Sequence, residues 1–158
     1  MTKPAWLPEM LNVNPWTETT YDALYQLFCD TLKNSRPVYR GAEVWFFLDM
    51  EDGKEKIFWH LTSRDDKETG ERLPDLRRSE RLPWVRPMID QPDQSDVLDW
   101  DFEEGDGTIK TYIWLKEYDF VVIMKKYPDE NRRLITSFWI EYNNTRRKMQ
   151  KKYDNRLR

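Results

Sequence analysis

The pattern of hydrophobic and polar positions predicts helices near the two ends of the chain and β-strands between them. Apolar residues recur at helical spacing in "TETTYDALYQLFCDTLKNS", which predicts an amphipathic helix capped by Thr17 or Thr19. Residues 1–16 place prolines between tryptophans and aliphatic residues, so we expect an ordered arm packed on the domain formed by residues 17–158. A basic helix over about residues 143–155 is expected to end the chain.

Six apolar runs predict strands. Residues 43–48 and 56–62 flank "DMEDGKE", whose Asp52-Gly53 pair is a strong hairpin signal. The runs "VLDWDF", "TIKTYIWLKEY", "FVVIMKKY" and "RRLITSFWI" are separated by short polar links, which predicts an antiparallel meander. The proline-broken segment before them predicts a short helix over about residues 75–81 and a second turn through residues 85–90. This order of elements is typical of the α+β class.

Charge is distributed unevenly along the chain, although its net value is only −3. A net charge this low is not that of a dedicated nucleic-acid-binding protein. Residues 90–106 include eight acidic residues and no basic one, whereas residues 142–158 include seven basic residues and one acidic residue. The acidic stretch predicts a solvated or mimic surface more than a metal site, and the basic stretch predicts either a solvated helix face or a phosphate-binding surface.

Several classes of site lack the residues they need. One cysteine, Cys29, cannot form an intramolecular disulfide, and one cysteine with one histidine cannot form a tetrahedral zinc site. The sequence also lacks a glycine-rich phosphate loop, a G-x-S-x-G elbow, and HExxH and CxxC motifs. A carboxylate-rich magnesium or calcium site stays open, but no metal or cofactor is expected. Without a signal-peptide core or a long apolar run, we expect a cytoplasmic protein that does not enter a membrane.

The one histidine, His60 in "FWHLTSR", is the main candidate for proton-transfer chemistry. Histidine suits this role because its unperturbed pKa is about 6.5. Arg78 and Arg81 can bind a phosphate through paired charge-assisted hydrogen bonds, and the hydroxyls of Thr136 and Ser137 can donate to its oxygens. Inward-facing residues of adjacent strands lie about 5 Å apart, so His60 could meet one of these hydroxyls. The set suits metal-independent RNA cleavage, in which the RNA supplies its own 2′-OH nucleophile.

Each of these residues also has a structural interpretation. A lone histidine is more often a surface or hydrogen-bonded structural residue than a catalyst, and Thr136 and Ser137 can be ordinary strand residues. If residues 56–62 form a strand, Phe58 and His60 share one face. Catalysis requires that this face meet the arginines, whereas burial of His60 behind the neighbouring tryptophans would make it a core residue.

The order of the segments resembles the barnase–EndoU–colicin–RelE-like superfamily of RNase domains, in particular its phage and prophage branch and related polymorphic-toxin domains. The resemblance covers about residues 38–153 and rests on "FWHLTSR", "PDLRRSERLPWVRPMI", an acidic strand, and "YDFVVIMKKY…RRLITSFWIEY…KMQKKY". It implies a curved sheet and a metal-free RNase cleft. Combined with the strand pattern, it predicts one α+β domain with a curved, mostly antiparallel sheet of four to six strands, an N-terminal helix, short central helices and a basic C-terminal helix.

The resemblance also implies residue roles. His60 would be the general base or acid, Arg78 and Arg81 would hold the phosphate, and Thr136 and Ser137 would orient it. Further substrate-binding candidates are Arg64, Lys125, Lys126, Arg146, Arg147 and Lys148. The expected partners are RNA and, for a toxin, a cognate antitoxin or immunity protein. The alternative hypothesis is a non-catalytic binding or inhibitor protein, such as an acidic mimic of nucleic acid or a phage accessory protein, that uses the same sheet.

Overall fold

The computed structural model of the chain describes residues 3–158. Its ten strands are β1 (Val38–Tyr39), β2 (Ala42–Trp45), β3 (Met50–Glu51), β4 (Lys54–Glu55), β5 (Ser63–Asp65), β6 (Arg72–Pro74), β7 (Leu98–Glu103), β8 (Ile109–Leu115), β9 (Phe120–Lys126) and β10 (Arg132–Trp139). Its five α-helices are α1 (Thr20–Phe28), α2 (Lys56–Thr62), α3 (Leu76–Glu80), α4 (Leu82–Asp90) and α5 (Asn143–Asp154). One turn of π-helix, Cys29–Lys33, extends α1.

Six of the strands form one curled sheet in the order β1-β2-β10-β9-β8-β7. The last four strands of the chain pair antiparallel as a meander, which confirms the prediction from the sequence. The pairing of β2 with β10 is parallel and aligns Val44 with Arg132 and Trp45 with Arg133. The predicted class is therefore confirmed: a single α+β domain with a curved, mostly antiparallel sheet.

Helices cover both faces of this sheet, and each face has its own apolar cluster. On the inner face, side chains of α1, α2 and α4 pack against strands β8, β9 and β10. On the outer face, α5 packs through Met149 against a smaller cluster that includes Trp100, Trp114 and Val121. Burial of these side chains supplies the main driving force for folding, at roughly 25 cal/mol per Å² of apolar surface.

The N-terminal arm contacts the domain through both apolar and polar groups. Leu7 is 2% exposed and belongs to the inner cluster. The Trp6 indole donates to Asp96 (2.9 Å), and the Trp84 indole donates to the main-chain oxygen of Pro8 (2.9 Å). These long-range hydrogen bonds attach the arm to α4 and to the loop that precedes β7.

The prediction of a second hairpin strand over residues 56–62 was wrong. The Asp52-Gly53 turn is present, with both residues at positive φ (49° and 82°), but it joins only the short strands β3 and β4. The chain then forms α2, so Phe58 and His60 do not share a strand face. The reason is that four of the seven residues in "KIFWHLT" are apolar, and periodicity does not separate a strand from a helix over so few residues.

The other predicted elements are close to those observed. The central helices lie at 76–80 and 82–90, and α5 begins and ends near the predicted positions. Asp75 caps α3 by accepting a hydrogen bond from the Arg78 main-chain nitrogen (3.0 Å). Within residues 3–158, none of the helices combines the length and the apolar character needed to span a membrane.

Candidate active site

His60 lies in the last turn of α2 with its side chain exposed to solvent. Lys56 precedes it by four residues and is exposed on the same side of the helix. The rest of α2 is buried, including Phe58 and Leu61, both 0% exposed. The interpretation of His60 as a core residue is therefore excluded, because the helix directs its apolar side chains inward and leaves the imidazole outside.

The main-chain oxygen of His60 brings two predicted site residues together. Since α2 ends at Thr62, its last carbonyl groups have no partner within the helix. Arg78 Nη1 donates to the oxygen of His60 (2.9 Å) and to that of Ser63 (3.3 Å). Thr136 Oγ1 donates to the same His60 oxygen (3.1 Å). Arg78 and Thr136 thus hold the end of α2 and act on His60 as positioning residues.

This contact also explains why His60 lies beside the sheet. Strand β2 pairs with β10 only at Arg132 and Arg133, so β2 leaves the rest of the β10 edge uncovered. Helix α2 packs against that edge, where Thr136 reaches it. Ser79 on α3 adds a hydrogen bond from its Oγ to the oxygen of Thr62 (2.8 Å). The segments of β10 and α3 that sequence analysis selected therefore do meet α2.

A cationic depression adjoins His60 on one side, and we call it the arginine cleft. Its volume is about 470 Å³. Its walls carry more cationic than acidic side chains. The lining residues are Glu51, Lys56, Trp59, His60, Ser63, Arg64, Asp65, Arg72 and Arg78. A cleft of this charge favours an anionic ligand.

Arg64 is the cation of this cleft that is available for a ligand. Lys56 pairs with Asp49 (3.3 Å) and Arg72 with Asp52 (2.6 Å), whereas Arg64 forms no ion pair within residues 3–158. Burial lowers the pKa of Arg78, and the positive charge of Arg64 lowers it further against the opposing effect of a nearby carboxylate. Two cations that act on each other in this way would both be stabilised by a bound phosphate.

A smaller hollow, the apolar groove, adjoins His60 on its other side. Its volume is about 150 Å³. Aliphatic and aromatic side chains form its floor. The lining residues are Phe47, Asp49, Lys56, Ile57, His60, Arg133, Leu134 and Ile135. His60 thus stands between a cationic cleft and an apolar groove, an arrangement that suits a ligand with a phosphate and an apolar ring.

Arg81 and Ser137 do not join this site, which corrects the predicted catalytic set. Arg81 is 2% exposed and donates to Glu80 (2.6 Å) and to the main-chain oxygen of Arg77 (3.2 Å). Ser137 is 0% exposed and lies opposite Val122 on the inner face of the sheet. Both side chains are buried, so neither can contact an RNA phosphate in this structure.

The remaining substrate-binding candidates are distributed over two faces of the sheet. Lys126 pairs with Asp101 (3.2 Å), and Lys125, the next residue of β9, points to the opposite face. In α5, which packs on the outer face, Arg146 pairs with Asp119, whereas Arg147 and Lys148 are exposed. The structure therefore separates these cations from the arginine cleft.

The acidic stretch of residues 90–106 is largely neutralised by the fold. Five of its carboxylates form ion pairs with basic side chains elsewhere in the chain. These residues are Asp90, Asp93, Asp99, Asp101 and Glu104. Only Asp96, Glu103 and Asp106 of the stretch form no ion pair within residues 3–158, which weakens the hypothesis of an acidic mimic of nucleic acid.

No group of three or more His, Cys, Asp or Glu side chains within residues 3–158 is arranged to hold a metal ion. A second collection of opposite charges lies around Tyr39, Arg40 and Arg132, in a hollow of about 480 Å³. There the Arg40 guanidinium donates twice to Asp99 (2.8 and 3.0 Å), and Arg132 donates to Thr111 (3.1 Å). These side chains use their hydrogen-bonding groups on one another, and their contacts stabilise the sheet.

Sequence analysis missed three residues that border His60: Lys56, Arg72 and Arg133. The four-residue spacing of Lys56 and His60 was the available signal, because it places two polar side chains on one side of a helix. Arg72 and Arg133 gave no such signal, since only the folding of β6 and β10 toward α2 brings them near.

Comparison of the chain with protein-family models, with curated protein sequences and with solved structures finds no match in any of the three. The resemblance to the RNase superfamily therefore stays a prediction based on short motifs.

Proposed function

We propose that this protein is a metal-independent endoribonuclease of the phage or toxin type with His60 as its proton-transfer group. The observation that carries the proposal is the position of the exposed imidazole between the arginine cleft and the apolar groove. Histidine is suited to proton transfer near neutral pH, and the adjacent arginines suit the anionic phosphate of RNA.

The proposed reaction is an internal transesterification. The 2′-oxygen of a ribose attacks the adjacent phosphorus, the bond from phosphorus to the 5′-oxygen breaks, and a 2′,3′-cyclic phosphate forms. His60 either accepts the proton of the 2′-OH or donates a proton to the departing 5′-oxygen, and a water molecule exchanges the other proton, so the products are the cyclic phosphate and a 5′-OH. Arg64 binds a non-bridging oxygen as negative charge grows on the phosphate. Arg78 and Thr136 keep the last turn of α2 in place, so the imidazole keeps its position.

The test is cleavage of total RNA by the purified protein in excess EDTA, next to the variants His60→Ala and Lys67→Ala. Wild type and Lys67→Ala are expected to cleave, whereas His60→Ala is expected to lose at least about 100-fold in rate. Lys67 is a suitable control because it is exposed in the turn between β5 and β6, outside both hollows around His60. Equal cleavage by His60→Ala and wild type would remove the proposed role of the histidine.

Binding of RNA without cleavage would instead favour the non-catalytic alternative. In that case the arginine cleft would hold phosphates and His60 would serve as one more polar contact. For a toxin, a cognate neutralising protein is an expected partner, and it would be expected to inhibit cleavage in the same EDTA assay when added in equimolar amount.

A further inference from the structure

A row of cationic side chains crosses the outer face of the sheet. Strand pairing places Trp45 of β2 beside Arg133 of β10, Arg133 beside Lys125 of β9, and Lys125 beside Lys110 of β8. Residues paired in this way point to the same face with Cβ atoms about 5 Å apart. Three successive strands therefore present a basic residue at the same level.

Such a row is unfavourable unless an anion compensates it, because like charges that lie directly opposite each other across a sheet destabilise it. Arg133 and Lys125 form no ion pair with a carboxylate in the part of the chain that the structure describes. Arg133 Nε donates to the Tyr127 hydroxyl (3.0 Å), which leaves its charge uncompensated. The arrangement is the opposite of that in residues 90–106, where carboxylates are paired within the fold.

Aromatic rings border the same row. The rings of Trp45 and Phe47 lie 5.3 Å apart, and those of Trp45 and Tyr127 lie 5.5 Å apart. Phe47 is 52% exposed, and the Arg133 guanidinium lies 4.4 Å from its ring centre. Lys125 Nζ lies 5.1 Å from the centre of the Tyr127 ring. Aromatic side chains beside cations are the combination with which proteins bind single-stranded nucleic acid.

We propose that this aromatic–cationic row, formed by Trp45, Phe47, Tyr127, Lys125 and Arg133, binds single-stranded RNA. The cations contact the phosphates, and an unpaired base stacks on the exposed face of Phe47. The proposal deepens the proposed function and rests on it for the identity of the ligand as a substrate. Phe47 and Arg133 also line the apolar groove next to His60, so a strand bound along the row reaches the imidazole.

The mixture of rings and cations is what selects an unpaired strand. Cations alone would bind both duplex and single-stranded RNA, because both present phosphates. A stacking ring needs a free base face, which a duplex does not offer, and each stacked base contributes about 1–3 kcal/mol. The row thus predicts a preference for single-stranded over duplex RNA, which the arginine cleft alone does not predict.

The test is binding of a fluorescein-labelled oligouridylate of about 10 nucleotides, a length within the usual site size, by fluorescence anisotropy. All proteins carry His60→Ala so that no cleavage occurs. Adding Phe47→Ala is expected to weaken binding about 5- to 150-fold. Adding Lys125→Gln is expected to weaken binding and to reduce the slope of log K against log salt by about 0.7.

Two matched variants serve as controls. Tyr142→Ala removes another exposed ring (63% exposed), and Lys67→Gln removes another exposed cation, and neither residue belongs to the row. Both are expected to bind the oligouridylate as the His60→Ala protein does. A duplex of the same length is expected to bind less tightly and to be insensitive to Phe47→Ala.

The outcomes separate the row from the proposed catalysis. Equal affinity with and without Phe47, or no binding of the oligouridylate, overturns the row even when the wild type cleaves RNA. Loss of affinity in Phe47→Ala and Lys125→Gln supports the row even when the wild type cleaves nothing, in which case the ribonuclease proposal fails alone. Binding of a protein partner through these residues with no affinity for RNA would also overturn it.

Discussion

His60 contributes two chemically different groups to the candidate site. Its main-chain oxygen accepts hydrogen bonds from Arg78 and Thr136, and these bonds fix the end of α2. Its imidazole stays exposed between the arginine cleft and the apolar groove. Because the His60 side chain forms no hydrogen bond within residues 3–158, the precision of the site depends on the residues that bind its main-chain oxygen.

The first prediction concerns Thr136. Thr136→Val keeps the shape of the side chain and removes the hydrogen bond to the His60 oxygen, while Arg78 still donates to that oxygen. We expect the free energy of unfolding to fall by about 0.5–1.5 kcal/mol in urea denaturation. The matched control is Thr145→Val, because the Thr145 hydroxyl, in the first turn of α5, forms no hydrogen bond within residues 3–158. If the two variants have equal stability, the hydrogen bond from Thr136 does not hold α2.

Ser137 gives a prediction with the opposite sign. Its hydroxyl is buried and has no hydrogen-bond partner within the described residues. Ser137→Ala removes a polar atom that lost its bonds to water on folding, at the cost of a small cavity. We expect the free energy of unfolding, measured by urea denaturation, to stay the same or to rise by up to about 1 kcal/mol. A loss of more than about 1 kcal/mol would show that the hydroxyl is bonded in solution.

At the scale of elements, the predictable parts of this fold are those with local signals. The meander has alternating strands and polar links, and α1 has apolar residues at helical spacing, so both follow from the sequence. Helix α2 resembles a strand in the sequence because Ile57, Phe58, Trp59 and Leu61 form a short apolar run, although Lys56 and His60 are exposed. The parallel pairing of β2 with β10 has no local signal either, since the two strands are separated by most of the chain.

Glu55 is the residue that joins β4 to α2, and its contacts stabilise the start of this helix. It is 1% exposed, binds Lys33 (2.5 Å), and accepts a hydrogen bond from the Tyr25 hydroxyl (2.6 Å). Burial alone would raise the pKa of Glu55, but the bonds from Lys33 and Tyr25 outweigh it and lower the pKa below its ordinary value of 4.5. The same contact raises the pKa of Tyr25 to about 12.

A lowered carboxyl pKa predicts how stability changes with pH. The contribution of Glu55 is complete above pH 4.5 and is lost as the pH falls from 4.5 through its folded value, because the unfolded state then binds the proton more readily. Glu55→Gln should lower the free energy of unfolding by about 1–2 kcal/mol at pH 7. In urea denaturation at several pH values, the loss of stability below pH 4.5, which we call the acid limb, should be less steep in this variant than in the wild type. The control is Glu68→Gln, an exposed residue of the β5–β6 turn. An unchanged acid limb in Glu55→Gln would contradict this role.

At the scale of the whole molecule, the net charge of −3 does not show which acidic and basic residues are paired with each other. Five of the eight carboxylates of residues 90–106 are paired within the fold, whereas Arg64, Lys125, Arg133, Arg147 and Lys148 form no ion pair among residues 3–158. Cations without an ion pair therefore lie beside α2 and on the outer face of the sheet. Composition alone could not show this, because pairing is decided by the tertiary structure.

The basic outer face leads to a prediction for α5. The triple variant Arg147→Gln, Lys148→Gln and Lys151→Gln removes exposed cations from a helix that packs on the same outer face of the sheet as the aromatic–cationic row. RNA binding should weaken, and the slope of log K against log salt should fall by about 2 for a single strand. Unfolding free energy should change by less than about 0.5 kcal/mol. An unchanged salt slope, measured by anisotropy, would show that α5 does not contact the RNA.

The candidate site is only partly predictable from the sequence, because tertiary structure decides which side chains are buried and which are paired. Sequence order pointed to His60, Arg64, Arg78 and Thr136, and the structure places all four around the end of α2. The sequence could not show that Arg78 and Thr136 bind a main-chain oxygen rather than a phosphate. It also could not show that Arg81 is buried, because burial depends on elements that are distant in the chain.

The most direct test of the central claim is the chemical nature of the RNA ends that the protein produces in excess EDTA. Wild-type protein should yield fragments that mass spectrometry identifies as 2′,3′-cyclic phosphates, and an RNA with 2′-deoxyribose at the cleaved position should resist cleavage there. His60→Ala should yield neither fragments nor cyclic phosphates. Cyclic phosphates formed equally fast by His60→Ala, or fragments ending in 3′-OH, would contradict a His60-dependent transesterification.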